Sequence, residues 1–125
     1  MAKIMLVEDD YTLRSLLQSL LEIEGHAVVL GSLQADQLLS DLREQQPDLL
    51  VMDVRLAGGV NGLDLLDAIR DDPHLKHTRI IMTSGMDYYH ASIEAGADDF
   101  LQKPYMPNEL LKAMHKLLQR DAPAS

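Results

Sequence analysis

Short, nearly unbroken apolar runs alternate along this chain with segments whose leucines recur three and four residues apart. KIMLV (3–7) barely alternates, the pattern of a strand covered on both faces. Leu13, Leu16, Leu17, Leu20 and Leu21 then fall at helical spacing, and Gly25 is placed to end that helix. HAVVLG (26–31) reads as a second, less apolar strand, and Leu38, Leu39 and Leu42 stripe a helix that stops before Pro47. LLVMDV (49–54) is the third strand. After a glycine-bearing loop, Leu63, Leu65, Leu66 and Ile69 predict a helix ending near Asp72-Pro73. RIIMTS (79–84) is a fourth strand, 87–95 a short helix closed by Gly96, and DFLQK (99–103) a fifth strand. Leu110, Leu111, Met114, Leu117 and Leu118 stripe a last helix, with Pro107 where a first-turn proline is tolerated.

Five strand–helix units in 125 residues predict an α/β fold. The expected form is a doubly wound, five-stranded parallel sheet in the flavodoxin-like order 2-1-3-4-5, with helices on both faces and right-handed crossovers. Residues 1–120 are expected to form one domain, and 121–125 a frayed tail or the start of a linker. In such folds ligands bind at the carboxyl ends of the strands.

Composition narrows the classes. An apolar fraction of 46% and a charged fraction of 25% are those of a globular domain. The absence of cysteine excludes disulfides, thiolate catalysis and cysteine-bound metal. No apolar run is long enough to span a bilayer and the N-terminus has no signal-peptide architecture, so a cytoplasmic location with no membrane partner is expected. A net charge of −9 argues against direct contact with nucleic acid. It suits a protein partner or a bound cation, and equally simple solubility.

The strand ends carry the chemistry. The first ends in Glu8, Asp9 and Asp10, the third at Asp53, the fourth at Thr83-Ser84 and the fifth at Lys103-Pro104. Each has a plain structural alternative. Asp10 or Thr12 can cap a helix, Asp53 can open a turn, Thr83 can be an ordinary strand-end hydroxyl, and a lone Lys-Pro says little. In the proposed strand order, however, all converge on one edge. Glu8, Asp9 and Asp53 packed together would repel one another, and a hard divalent cation removes that repulsion. With a metal in place an oxygen of Asp53 can attack phosphorus, while Lys103 and Thr83 supply charge and a donor to the phosphoryl oxygens. These are parts for phosphoryl transfer to an aspartate.

IMLVEDD, PDLLVMDV, IIMTSG and GADDFLQKPY, in this order from about residue 3 to 120, resemble a receiver domain of the two-component response-regulator family. The resemblance implies that Asp53 is the phosphoacceptor and that Glu8 and Asp9 are the acidic pair holding Mg²⁺, for which Mn²⁺ can substitute. The backbone carbonyl of Arg55 would complete the metal ligands. Thr83 would be the switch hydroxyl, Lys103 the phosphate-contacting lysine, and Phe100 an aromatic that changes rotamer on activation. The Lys103-Pro104 bond would be cis. The phosphoryl donor would be a sensor histidine kinase or a phosphotransfer protein, and the output surface that of the fourth helix, fifth strand and last helix. The downstream target is unspecified. The chain would be a stand-alone regulator or one domain of a longer protein. It would catalyse its own phosphorylation and dephosphorylation without turning over a separate substrate.

Several residues depart from the family's pattern. Ala57 stands where many receivers have proline, the loop RLAGGVNG is one residue longer than the commonest form, and Ser84 follows Thr83 where alanine or glycine is usual. Ala113 occupies the position of an arginine used in one subfamily's dimers, so that dimer is not carried over. From pattern alone Phe100 reads as core, and Gly58, Gly59 and Gly62 as flexible turn residues. His26, His74, His77, His90 and His115 read as surface or structural, and Tyr88, Tyr89 and Tyr105 as surface or partner-facing. Three rival functions stand beside the receiver. A flavodoxin-like cofactor binder needs hydroxyls and glycines where EDDY stands. An aspartate-nucleophile phosphatase commonly has a second aspartate two residues after the nucleophile, where this chain has Arg55. A phosphorylation-independent interaction module would not need Glu8, Asp9, Asp53, Thr83 and Lys103 together.

Overall fold

The computed structural model describes residues 2–119, so the segment read as a tail lies outside the described residues. The strands are β1 (Lys3–Val7), β2 (Ala27–Leu30), β3 (Leu49–Asp53), β4 (Arg79–Ser84) and β5 (Asp99–Gln102). The helices between and after them are α1 (Tyr11–Ile23), α2 (Ala35–Gln45), α3 (Gly62–Asp71), α4 (Tyr89–Ala95) and α5 (Pro107–Gln119). All strand pairs are parallel and the order is β2-β1-β3-β4-β5, as the alternation of runs predicts. Expected and observed ends differ by about one residue, with β2, β3 and β5 shorter than the apolar runs that mark them.

Strand alternation sorts the core into two layers. Met5, Val7, Leu50, Met52, Ile80, Met82 and Phe100 point to the side covered by α2 and α3. Ile4, Leu6, Leu49, Val51 and Ile81 point to the side covered by α1 and α5, where Ala113 is also buried. Every residue of β3 is buried, so the central strand is fixed by apolar contact on both faces. A slip of one residue against β1 or β4 would exchange the two layers.

The helix ends are legible one by one. The Asp10 carboxylate accepts the Leu13 N–H at 3.0 Å and caps α1, one of the two residues expected to do so. Gly96, at φ 110°, ends α4 in the left-handed conformation. Its carbonyl accepts from Arg70 Nε at 2.8 Å, and Arg70 also donates to the Thr78 carbonyl and to Asp98. That guanidinium ties α3, the end of α4 and the start of β4 together. Among the histidines, His26 is half-buried and its Nδ1 accepts the Ala2 N–H at 3.2 Å, and the other four are exposed.

The loop after β3 is more ordered than its glycines suggest. Arg55 and Asn61 pair as an antiparallel bridge, Leu56 N–H donates to the Val60 carbonyl at 3.0 Å, and Leu56 is buried. Ala57–Gly59 form a single 3-10 turn at the tip, where Gly58 and Gly59 have φ of 73° and 76°. Gly62 is a different case from the turn residue expected of it. It begins α3, is buried, and a Cβ there would lie 2.2 Å from the Asp53 carbonyl oxygen. Alanine gains up to about 1 kcal/mol over glycine in a helix, but overpacking against fixed backbone costs about 1–3 kcal/mol. Gly62→Ala is therefore expected to destabilise the fold by about 2 kcal/mol in urea unfolding, against its helix propensity.

Candidate functional site

Alternation carries past the strand ends and aims four side chains at one place. Glu8 continues the β1 positions Ile4 and Leu6, and Asp53 continues Leu49 and Val51. Thr83 follows Ile81, and Lys103 follows Leu101. Asp53 and Thr83 are direct neighbours in the β3–β4 register. The four belong to the α1–α5 side of the sheet and meet at its carboxyl edge.

There they form one connected group. The Thr83 hydroxyl donates to Asp53 Oδ1 in a short buried hydrogen bond. Lys103 Nζ lies 2.5 Å from Glu8 Oε1 and 2.9 Å from Asp53 Oδ1. The second Glu8 oxygen accepts the Asp10 N–H at 3.1 Å. Glu8 and Asp53 are only 6% and 4% exposed, whereas Asp9 is exposed. Burial pushes the Glu8 carboxyl above its ordinary range, Asp53 beside it adds to the rise, and Lys103 offsets only part. Burial works against the Lys103 ammonium as well, but its bonds to Glu8 and Asp53 prevail and hold it above the usual lysine value.

Glu8, Asp9 and Asp53 each present an oxygen within 4.8 Å of the others, so the three can hold a metal ion. An all-carboxylate set is the donor chemistry of hard cations. Three carboxylates against one ammonium leave the site short of positive charge, which a cation would supply. Beside them opens a cleft of about 270 Å³ lined in part by Arg55 and Ser84. The Arg55 side chain is exposed and donates to the Tyr88 hydroxyl at 3.1 Å. The Ser84 hydroxyl accepts the Met86 N–H at 3.2 Å. Phe100 is set apart from this group: it is 7% exposed, opposite Met82 in register and in the other core layer. The Lys103-Pro104 bond is cis.

Comparison with known proteins gives this arrangement its family. The model of the response regulator receiver domain matches residues 4–115, nearly the whole described chain. The chain belongs to that family. It is 38% identical over 121 residues to the transcriptional regulatory protein CpxR of Escherichia coli K12, covering 96% of this chain and 50% of CpxR. It is 33% identical over 125 residues to the DNA-binding response regulator MtrA of Mycobacterium tuberculosis H37Rv, covering 98% of this chain and 54% of MtrA. The chain thus spans about half the length of these curated relatives. The receiver domain of NtrX from Brucella abortus superposes with a TM-score of 0.82 at 29% identity, covering 94% of this chain and 99% of that one. No helix among the described residues of this receiver is long and apolar enough to cross a membrane.

Two tyrosines differ from the surface role read for them. Tyr88 is half-buried against the α2–α3 layer while its hydroxyl meets Arg55. Tyr105, next to the cis proline, packs on the α1–α5 layer. Burial pushes its phenol up to about 12, with Lys103 nearby acting the other way. A phenol raised in the folded state favours folding fully below pH 10 and loses that contribution as pH climbs towards 12. A phenolate absorbance titration of the receiver should contain a late component near pH 12 that vanishes in Tyr105→Phe. The same substitution should flatten the fall in stability between pH 10 and 12.

Proposed function

We propose that this receiver is a phosphoacceptor signalling domain of a two-component system or phosphorelay, with Asp53 as the acceptor. What carries the reading is the Asp53 carboxylate itself. It is nearly buried, held by the Thr83 hydroxyl and the Lys103 ammonium, with Glu8 and Asp9 beside it. An oxygen of Asp53 attacks the phosphorus of a phosphohistidine on a sensor histidine kinase or a phosphotransfer protein. The P–N bond breaks, its electron pair returns to the imidazole, and an acyl phosphate forms. Hydrolysis of that acyl phosphate resets the domain.

Mg²⁺, or Mn²⁺ in its place, would be held by Glu8, Asp9, Asp53 and the Arg55 backbone carbonyl, and would neutralise charge on the incoming phosphoryl group. Lys103 already bridges Glu8 and Asp53, so it needs only a small shift to meet phosphoryl oxygens. Thr83 exchanges its bond to the carboxylate for one to the phosphoryl group. Phe100, one register position from Thr83's partner Leu101, is the side chain whose rotamer would follow and alter the α4–β5–α5 surface. Donor and target are protein partners in this reading. DNA binding, which the name of MtrA states, belongs to that longer protein.

Incubation with acetyl phosphate and Mg²⁺ should add one phosphoryl group to the intact mass. The addition should disappear in Asp53→Ala and in the presence of EDTA. Lys103→Ala should slow labelling by about 10²–10³-fold, the loss typical of a donor to developing negative charge. An unlabelled wild type, under conditions that label a control receiver, would sink the assignment.

A further inference from the structure

The contact between Arg55 and Tyr88 joins two loops across the mouth of the site. Arg55 leaves the end of β3 two residues after Asp53 and is one of the residues that line the 270 Å³ cleft, as do Asp53 and Lys103. On its other side Arg55 borders a second cleft of about 380 Å³, which it shares with Leu56, Val60 and Tyr88. Arg55 and Lys103 are the two cations lining the first cleft among the described residues. Lys103 is committed to Glu8 and Asp53, whereas Arg55 donates to a neutral, exposed hydroxyl. Such a contact is weak, because solvent competes for both groups.

Tyr88 is not an isolated surface residue. It is the residue from which α4 starts, and its carbonyl accepts the Ser92 N–H at 2.9 Å. Its ring packs on the same core layer as Phe100. The position of Tyr88 therefore decides how α4 begins. Tyr88 itself offers no capping side-chain bond, so the first turn is held by packing, by the Asp87 carboxylate that accepts the Tyr89 N–H at 3.1 Å, and by the Arg55 tether.

We infer that Arg55 is a second phosphoryl-binding cation of this receiver, and that its exchange from the Tyr88 hydroxyl to the phosphoryl group releases the start of α4. This rests on Asp53 being the acceptor. A phosphoryl group on Asp53 brings about two negative charges into the cleft that Arg55 lines. A guanidinium can bond such oxygens through two parallel N–H groups and with full opposite charge, neither of which a single neutral hydroxyl offers. The hydroxyl loses little, since it is exposed and water can donate to it in place of Arg55, while its own proton keeps the Met86 sulfur at 4.0 Å. The exchange is a partner swap between two sites of unequal strength, so occupancy of one empties the other. It gives the domain a route from the phosphoryl group to α4 that does not pass through Thr83 and Phe100.

Fluoroberyllate with Mg²⁺ is the probe, titrated by ¹⁵N amide spectra into wild type, Tyr88→Phe, Arg55→Gln and the double variant. Tyr88→Phe keeps the ring and frees the guanidinium, so it should tighten fluoroberyllate about threefold to tenfold. Arg55→Gln should weaken it by a similar factor and make Tyr88→Phe silent in the double variant. Before any ligand is added, amides 87–92 of Arg55→Gln and Tyr88→Phe should already be displaced towards their loaded positions. Equal affinity in wild type and Tyr88→Phe, or the same Tyr88→Phe effect with and without Arg55, overturns the exchange while leaving Asp53 as acceptor. Failure of the wild type to bind fluoroberyllate at all, with no label from acetyl phosphate, overturns the acceptor assignment and the exchange with it.

Discussion

The Lys103 ammonium is what allows two nearly buried carboxylates to share one edge of the sheet. Glu8 and Asp53 come from different strands, and each loses most of its hydration where it sits. Burial favours the neutral form of Glu8, and the Lys103 ammonium offsets that only in part. Lys103 spans both at hydrogen-bonding distance, and Thr83 satisfies a further lone pair of Asp53. The group is nonetheless deficient in positive charge, since Asp9 adds a third carboxylate. That deficit is the physical basis of cation binding, and it makes the site responsive. A structure already neutral at this edge would gain little from metal or phosphoryl group.

Most of this was legible because two periodicities coincide with chemistry. The apolar runs identified all five strands and, with the strand order, brought Glu8, Asp53, Thr83 and Lys103 to one edge; that they also share one side of the sheet shows only in the packing, because runs buried on both faces carry no phase. Leu49 and Val51 fix the direction of Asp53 as firmly as they fix the core, because reversing it would drive both into the other layer and displace Leu50 and Met52. The resemblance to receivers then supplied roles that no spacing could. Phe100 shows the division. Pattern alone puts it in the core, which is where it lies, and only the resemblance makes it a moving part.

What the sequence concealed was long-range and polar. Nothing near Arg70 suggests that it reaches Gly96, Thr78 and Asp98, since those partners are brought to it by the packing of α3 against β4 and α4. The meeting of Arg55 with Tyr88, 33 residues apart, is of the same kind. The glycines misled for another reason. Composition cannot distinguish a glycine that bends the chain from one that lets two backbones touch. Gly58 and Gly59 take positive φ, whereas Gly62 is needed because the Asp53 carbonyl leaves no room for a Cβ. The loop beside the acceptor is accordingly braced at its base and turned only at its tip.

These features place rigidity and freedom where a switch needs them. β3, which carries Asp53, is buried throughout, the loop after it is bridged, and Arg70 pins the far end of α4. The near end of that seven-residue helix begins at Tyr88 and is held by one exposed bond from Tyr89 to Asp87 and by the Arg55 contact. A ligand can shift a two-state element only by the difference between its affinities for the two states. In the proposed phosphorylated state such differential contacts would come through Thr83, Lys103 and Arg55, which stand on segments that meet α4 or β5. Under the proposed function the far end of α4, held to α3 by Arg70, would be the fixed end, and any motion would fall on the face that α4, β5 and α5 present together, because the two packed core layers resist deformation.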